Sequence, residues 1–284
     1  MRLSRPPFPH EHGAWVMLYA PLVIVLAAVR PVAVLPSLFL ILTVTSVFLG
    51  QYALRVFIRR RGPRLVVAWL GVELTLLAAG LLPLLFVYRL TGLLAIGALA
   101  AALFGLHTLL LYWPSRKRLD RSQWGETLAV GALALTAPAA YVVARGGLDP
   151  IAWSIWAACV LYFSSGIFYV NMLLSAARIR GEFDARDRWR VGRDLVVYHV
   201  LLILVVGGAS LAIGGWAAPL AALAYVPVLV RAFWGWATLS NELPPLTRVG
   251  LREVAYTLWF TGVFVAALRS MAEISGRWSV VGGQ

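Results

Sequence analysis

The chain has 284 residues, of which 61% are hydrophobic and 13% charged, with a formal net charge of +13 and a mean hydropathy of +0.82. Such apolarity excludes a soluble globular domain and a disordered chain. Apolar runs of about 20 residues recur and short alternating strands do not, so the fold class is an all-α integral membrane protein. The lone cysteine, Cys159, sits inside an apolar run and excludes a disulfide framework or a thiolate metal cluster.

Nine spans are expected, at residues 13–29, 32–54, 65–86, 91–113, 126–144, 151–177, 195–213, 216–236 and 251–270. Residues 1–12 are polar and no small-residue cleavage site follows them, so no cleavable leader is expected. With a cytoplasmic N-terminus, 20 of the 25 Lys and Arg residues fall on the inner side. An error of one span would scramble that asymmetry downstream. The basic excess is therefore a topology signal, and membrane lipids rather than nucleic acid are the expected partners. External connections are short, internal ones are longer and charged, and the whole of 1–284 reads as one polytopic domain without internal repeats.

Polar residues at the inner ends of the spans are the candidate functional groups. His12 and Trp15 begin the first span and suit a lid over a cytoplasmic cleft; His10 and His12 flank Glu11, but an i, i+2 pair shares no helical face and no third metal ligand is evident. The second span ends with Gln51, Arg55 and Arg59 at i, i+4 and i+8, one stripe of a helix. Glu73 lies about 12 Å into the third span and His107 about 9 Å from the end of the fourth, at 1.5 Å per residue. Their similar depth allows a proton-handling pair or interhelical glue, since a lone carboxylate in a span seeks a partner. The sixth span carries Asn171, Ser175 and Arg178 at i, i+4 and i+7, then Asp184 among alternating arginines and carboxylates. Two helices each ending in an amide followed by arginines are suited to grip an anionic head group bidentately; the plainer reading is that the arginines snorkel to lipid phosphates. Late in the chain, Pro244 and Pro245 break the backbone, and Glu253 falls in the first turn of the ninth span, where capping suffices to explain it. Spans interrupted by Gly or Pro in paired positions, as in inverted-repeat transporters, are not expected.

Two resemblances follow from these motifs. EHGAW (Glu11 to Trp15) before a proline-containing span, with TRVGLRE (Thr247 to Glu253), resembles the YwiC-like family of bacterial membrane proteins. This implies a bacterial cytoplasmic-membrane location and no particular activity. The nine-span architecture resembles the UbiA superfamily of intramembrane prenyltransferases, and Trp124 to Asp149 is similar to the fifth helix of its menaquinone-type members. That likeness implies a UbiA-like helical bundle, aspartate motifs at the ends of the second and sixth helices, Mg²⁺ and an isoprenyl diphosphate. Here Arg55 and Arg59 replace the first pair of aspartates, and Ser175 stands where another belongs. Arginine cannot ligate Mg²⁺, although Glu182, Asp184 and Asp187 leave room for one ion.

The resulting expectation is a cavity between spans two, three, four and six that takes a lipid, isoprenoid or quinone-like ligand with an anionic head. His12, Trp15, Gln51, Arg55, Arg59, Asn171, Arg178 and Asp184 would bind it, with Glu73 and His107 as the catalytic pair of a divergent transferase and no resident metal site assigned. A non-catalytic lipid or anion binder, a transporter, or an accessory membrane subunit is the alternative.

Overall fold

The computed structural model describes residues 12–29, 33–59, 64–112, 122–213 and 217–275. Every regular element among them is helical. Eight helical segments among the described residues are long and apolar enough to cross a membrane, and a shorter apolar helix, Gly13–Ala28, joins them as a ninth rod of the bundle.

Unbroken helices α1 (His12–Ala28), α2 (Val34–Arg59), α4 (Gly92–Tyr112), α7 (Pro150–Ala176), α8 (Ala185–Ile213) and α11 (Leu246–Ser275) form six of the spans. The other three each carry a proline that interrupts the helical ladder, because proline lacks the N–H for the i−4 carbonyl and its ring crowds that carbonyl. In span three, α3 (Arg64–Leu82) passes into a π-helical turn, Pro83–Val87. In span five, α5 (Gln123–Leu133) and α6 (Thr136–Arg145) are separated ahead of Pro138. The Ala134 carbonyl, which Pro138 cannot reach, accepts instead from Ala137 N at 2.9 Å. In span eight, α9 (Ala217–Leu223) and α10 (Val226–Ala237) are separated ahead of Pro227 in the same way. Two spans are thus split in the middle of the bundle; proline breaks a span only when its neighbours can re-bond the freed backbone, and a sequence does not display those neighbours.

The boundaries have local causes. Asp149 caps α7 by accepting from Ile151 N and Ala152 N, with Pro150 at the first helical position. Gly146, at φ +81°, ends α6 in the left-handed conformation that a side chain would resist. Asp184 accepts from Asp187 N at 2.7 Å and so caps α8.

Side-chain contacts tie the helix ends together in the alternating order of nine crossings. Arg55 near the end of α2 meets His107 near the end of α4, and Asn171 near the end of α7 meets Glu126 at the start of α5. At the opposite end, Arg269 of α11 donates to the Ala27 carbonyl of α1 at 2.6 Å. The core runs through α1, α6 and α7. Tyr162 stacks on Phe260 at 3.9 Å between ring centroids, and the buried Tyr225 hydroxyl donates to the Ala158 carbonyl. Helix α8 turns Leu201, Leu204 and Leu211 outward, as suits a lipid-facing span.

Helices α2 and α3 form the most extensive helix pair, and Gly80 permits their approach. A methyl group there would stand 2.5 Å from Thr43 Oγ1 and 2.8 Å from the Phe39 carbonyl. In lipid, close packing of small residues replaces the hydrophobic drive that water would supply. We expect Gly80→Ala to lower thermal stability by about 1–3 kcal/mol, the usual cost of overpacking. Gly71→Ala, where nothing lies within 4 Å of the added carbon, should leave the melting temperature unchanged or raise it.

Candidate functional site

Two polar centres stand out among the described residues of the spans. The first is built from α2, α3 and α4. Arg55 donates through Nη2 to His107 Nδ1 at 2.9 Å. A guanidinium only donates, so Nδ1 accepts and the ring proton of a neutral His107 sits on Nε2. With its amide oxygen turned toward the guanidinium, Gln51 accepts from Arg55 Nη2 at 2.6 Å. His107 is buried, 7% exposed. Glu73 stands against the second helix: a carbon placed on Gly50 would lie 3.5 Å from the Glu73 Cβ. Its Oε2 is buried and has no hydrogen-bond partner among the described residues. His107 is therefore bonded to Arg55, and Glu73 is not its partner.

Directly beneath this centre is an apolar cavity of about 430 Å³. Helix α3 packs on α2 and α4 packs on α5, and the gap between these two pairs is the cavity. Its wall includes Val47 and Phe48, one turn before Gln51; Leu77, one turn after Glu73; and Phe104, one turn before His107. Its two hydroxyl groups are spoken for, since Thr43 donates to the Phe39 carbonyl and Thr136 to the Leu18 carbonyl, both at 2.8 Å. The wall facing α2 to α4 comes from span five, with Leu18 of α1, where the sequence placed span six.

The remaining sequence candidates are distributed elsewhere. Trp15 meets Phe48 edge-on at 4.9 Å and stacks on Tyr19, inside a small cluster with Leu18 and Leu133. The side chains of His12 and Arg59 lie outside the described residues. Asn171 donates to Glu126 Oε2 at 3.2 Å. Helix α7 ends at Ala176, so Arg178 is exposed beyond it and does not continue the stripe of Asn171 and Ser175. Asp184 is occupied as the cap of α8. Helix α2 packs chiefly on α3, and α7 on α5 and α8; Arg55 bonds His107, whereas Asn171 bonds Glu126. Among the described residues, no group of three or more His, Cys, Asp or Glu is placed to hold a metal ion.

The second centre was not singled out from sequence. Arg231 of α10, whose side chain is 4% exposed, pairs with Glu253 of α11. Its Nη2 donates to Ser165 Oγ of α7 at 2.6 Å, and that hydroxyl bonds His199 Nε2 of α8 at 2.8 Å. His199 Nδ1 faces the Leu195 carbonyl at 2.8 Å and must donate to it, so Nε2 accepts from the hydroxyl. The guanidinium also lies over the Tyr169 ring, 4.7 Å from its centroid. Arg231 had counted as a positive-inside residue and Glu253 as a cap. Because α11 begins at Leu246, Glu253 stands two turns into the helix, beyond capping range. An arginine and a glutamate within apolar runs were the available signal; their pairing was not.

These features define the class: a polytopic helical membrane protein with a polar centre above an apolar cavity. A family model described as YwiC-like protein matches residues 8–141. The matched part holds EHGAW, Arg55, His107 and the cavity, while TRVGLRE and the Arg231 centre lie beyond it. No curated protein and no solved structure matches the chain.

Removing one partner of a buried ion pair leaves an uncompensated charge, typically a loss of about 3–5 kcal/mol, whereas removing both is far milder. Arg231→Leu should accordingly lower thermal stability in detergent strongly, and adding Glu253→Leu should recover most of the loss. Additive losses in this double-mutant cycle would show that the pair is not coupled.

Proposed function

We propose that this protein binds an amphipathic lipid, an isoprenoid or a quinone precursor in type, with its tail in the cavity of about 430 Å³ and its anionic head at Gln51, Arg55 and His107. The observation that carries this reading is the stacking of the two regions on the same helices, one turn apart. The volume lies in the range of roughly 300–1,000 Å³ common for small-molecule sites. Acyl chains in the bilayer are as apolar as the cavity, so transferring a tail into it gains little. The cavity sorts ligands by shape, and the head group supplies the affinity through a guanidinium in a low-dielectric setting. The gap between the α2–α3 and α4–α5 pairs provides a route from the surrounding lipid.

A divergent prenyltransferase-type enzyme is the catalytic form of the same reading. Its support is Glu73, a buried carboxylate oxygen without a partner one turn above cavity-lining Leu77, placed for proton exchange with a bound head group. Arg55 would then provide the counter-charge that the aspartate-held ion provides in UbiA enzymes. A transporter is favoured only by the break between α5 and α6, where Leu135 and Thr136 line the cavity.

The test is mass spectrometry of lipids retained through gentle purification. Wild type should carry a defined amphiphile, and Arg55→Gln should lose it about tenfold or more, the worth of one charge-assisted hydrogen bond. Gly97 lines the cavity and has nothing within 4 Å of an added carbon, so Gly97→Leu should fill the space and expel the tail without loss of thermal stability. Bulk phospholipid held equally by all three proteins would reduce Arg55 to a topology signal and favour an accessory subunit.

A further inference from the structure

A second, smaller cavity opens where α7, α10 and α11 meet the Pro244–Pro245 bend. It measures about 120 Å³, and Tyr169, Arg231, Arg248, Arg252, Glu253 and Tyr256 supply its polar lining. Three guanidiniums against one carboxylate leave a net charge of +2 around a space of roughly four water volumes, at about 30 Å³ each. Arg248 and Arg252 stand one turn apart on α11, and neither takes part in an ion pair among the described residues. Arg231 is nine-tenths buried, and its Nε is enclosed with no partner even though both terminal nitrogens are bonded.

Snorkelling explains an arginine that reaches outward to lipid phosphates. It does not explain why two exposed arginines, Arg248 and Arg252, share a cavity wall with the buried Arg231, whose Nε–H is unspent. Arg248 and Arg252, one turn apart on α11 and both lining the cavity, supply planar donor forks of the kind that grip a tetrahedral oxyanion bidentately. The Tyr169 and Tyr256 rings also line the cavity, with the Arg231 guanidinium 4.7 and 5.9 Å from their centroids. Glu253 holds Arg231 in place and limits the net charge to a value that a dianion neutralises. A nucleotide is too large for this space.

We propose that this cavity is a phosphate-binding site, taking either free phosphate or pyrophosphate or the phosphate of a lipid head group. The inference is independent of the lipid reading of the Arg55 centre, which shares none of these residues.

The full-length protein in maltoside micelles, which contain no phosphate, is titrated calorimetrically with inorganic phosphate and with pyrophosphate at constant ionic strength. Saturable one-site binding is expected. Arg248→Gln with Arg252→Gln should weaken it tenfold or more, while Arg55→Gln leaves it unchanged. Glu253→Gln removes the opposing charge and should tighten binding, a direction that misfolding cannot imitate. If the source is a lipid, free phosphate gives no heat, but wild type in mixed phosphatidylcholine and phosphatidylglycerol nanodiscs retains phosphatidylglycerol selectively and the double variant does not. Absence of free-phosphate binding together with equal phosphatidylglycerol retention by both proteins overturns the proposal. So does phosphate binding that Arg55→Gln abolishes and the double variant keeps.

Discussion

Arg231 is almost wholly buried, and the packing of the C-terminal half follows from that. A guanidinium buried among helices must find its counter-charge and hydrogen-bond acceptors on them. It finds Glu253 on α11, Ser165 on α7 and, through the hydroxyl, His199 on α8. Four helices from distant parts of the chain are thereby held in one register, because sliding any of them by a turn would leave a charge or a ring nitrogen unpaired. Each bond in such a chain polarises the next, so the network is worth more intact than its members taken singly.

The N-terminal half is assembled on a different principle. Helices α2 and α3 meet through Gly80 by close backbone approach, and α4 leans on α5 rather than on α3. The gap left between the pairs is apolar and wide, and its polar rim gathers at one end. The two halves thus divide the work. One is tied by buried charge, and the other leaves an apolar space, with a guanidinium, a histidine and a carboxylate one turn from its wall. The residues matched by the YwiC-like family model coincide with that open half.

The proline breaks connect the halves. Splitting span five at Ala134–Leu135 lets Thr136 reach the Leu18 carbonyl of α1 and sets Leu133, Leu135 and Thr136 on the cavity wall. Splitting span eight at Ala224–Tyr225 leaves the Tyr225 hydroxyl on the Ala158 carbonyl of α7. An uninterrupted helix would present a uniform apolar face at both places. Bending the spans is what allows the bundle to be dense around α7 and loose around α2 to α4.

The number of spans, their positions and the concentration of arginine at one end were all legible in the sequence. They depend on local properties that a linear pattern displays in full: apolar length against bilayer thickness, and Lys and Arg in the connections. The caps at Asp149 and Gly146 belong to the same class, since each acts within a few residues of itself. What the sequence could not fix was which polar groups share a neighbourhood. Gln51 and Arg55 were visible as one stripe, yet their meeting with His107, and its separation from Glu73, depends on how α2 and α4 pack. Arg178 looked continuous with Asn171 because helical spacing holds only while the helix lasts, and it ends at Ala176. Arg231 and Glu253 were each readable alone as a topology signal and a cap. Only tertiary packing makes them a pair, because a buried charge is satisfied by whatever lies beside it in space, and proximity between helices is not written in the spacing of residues along any one of them.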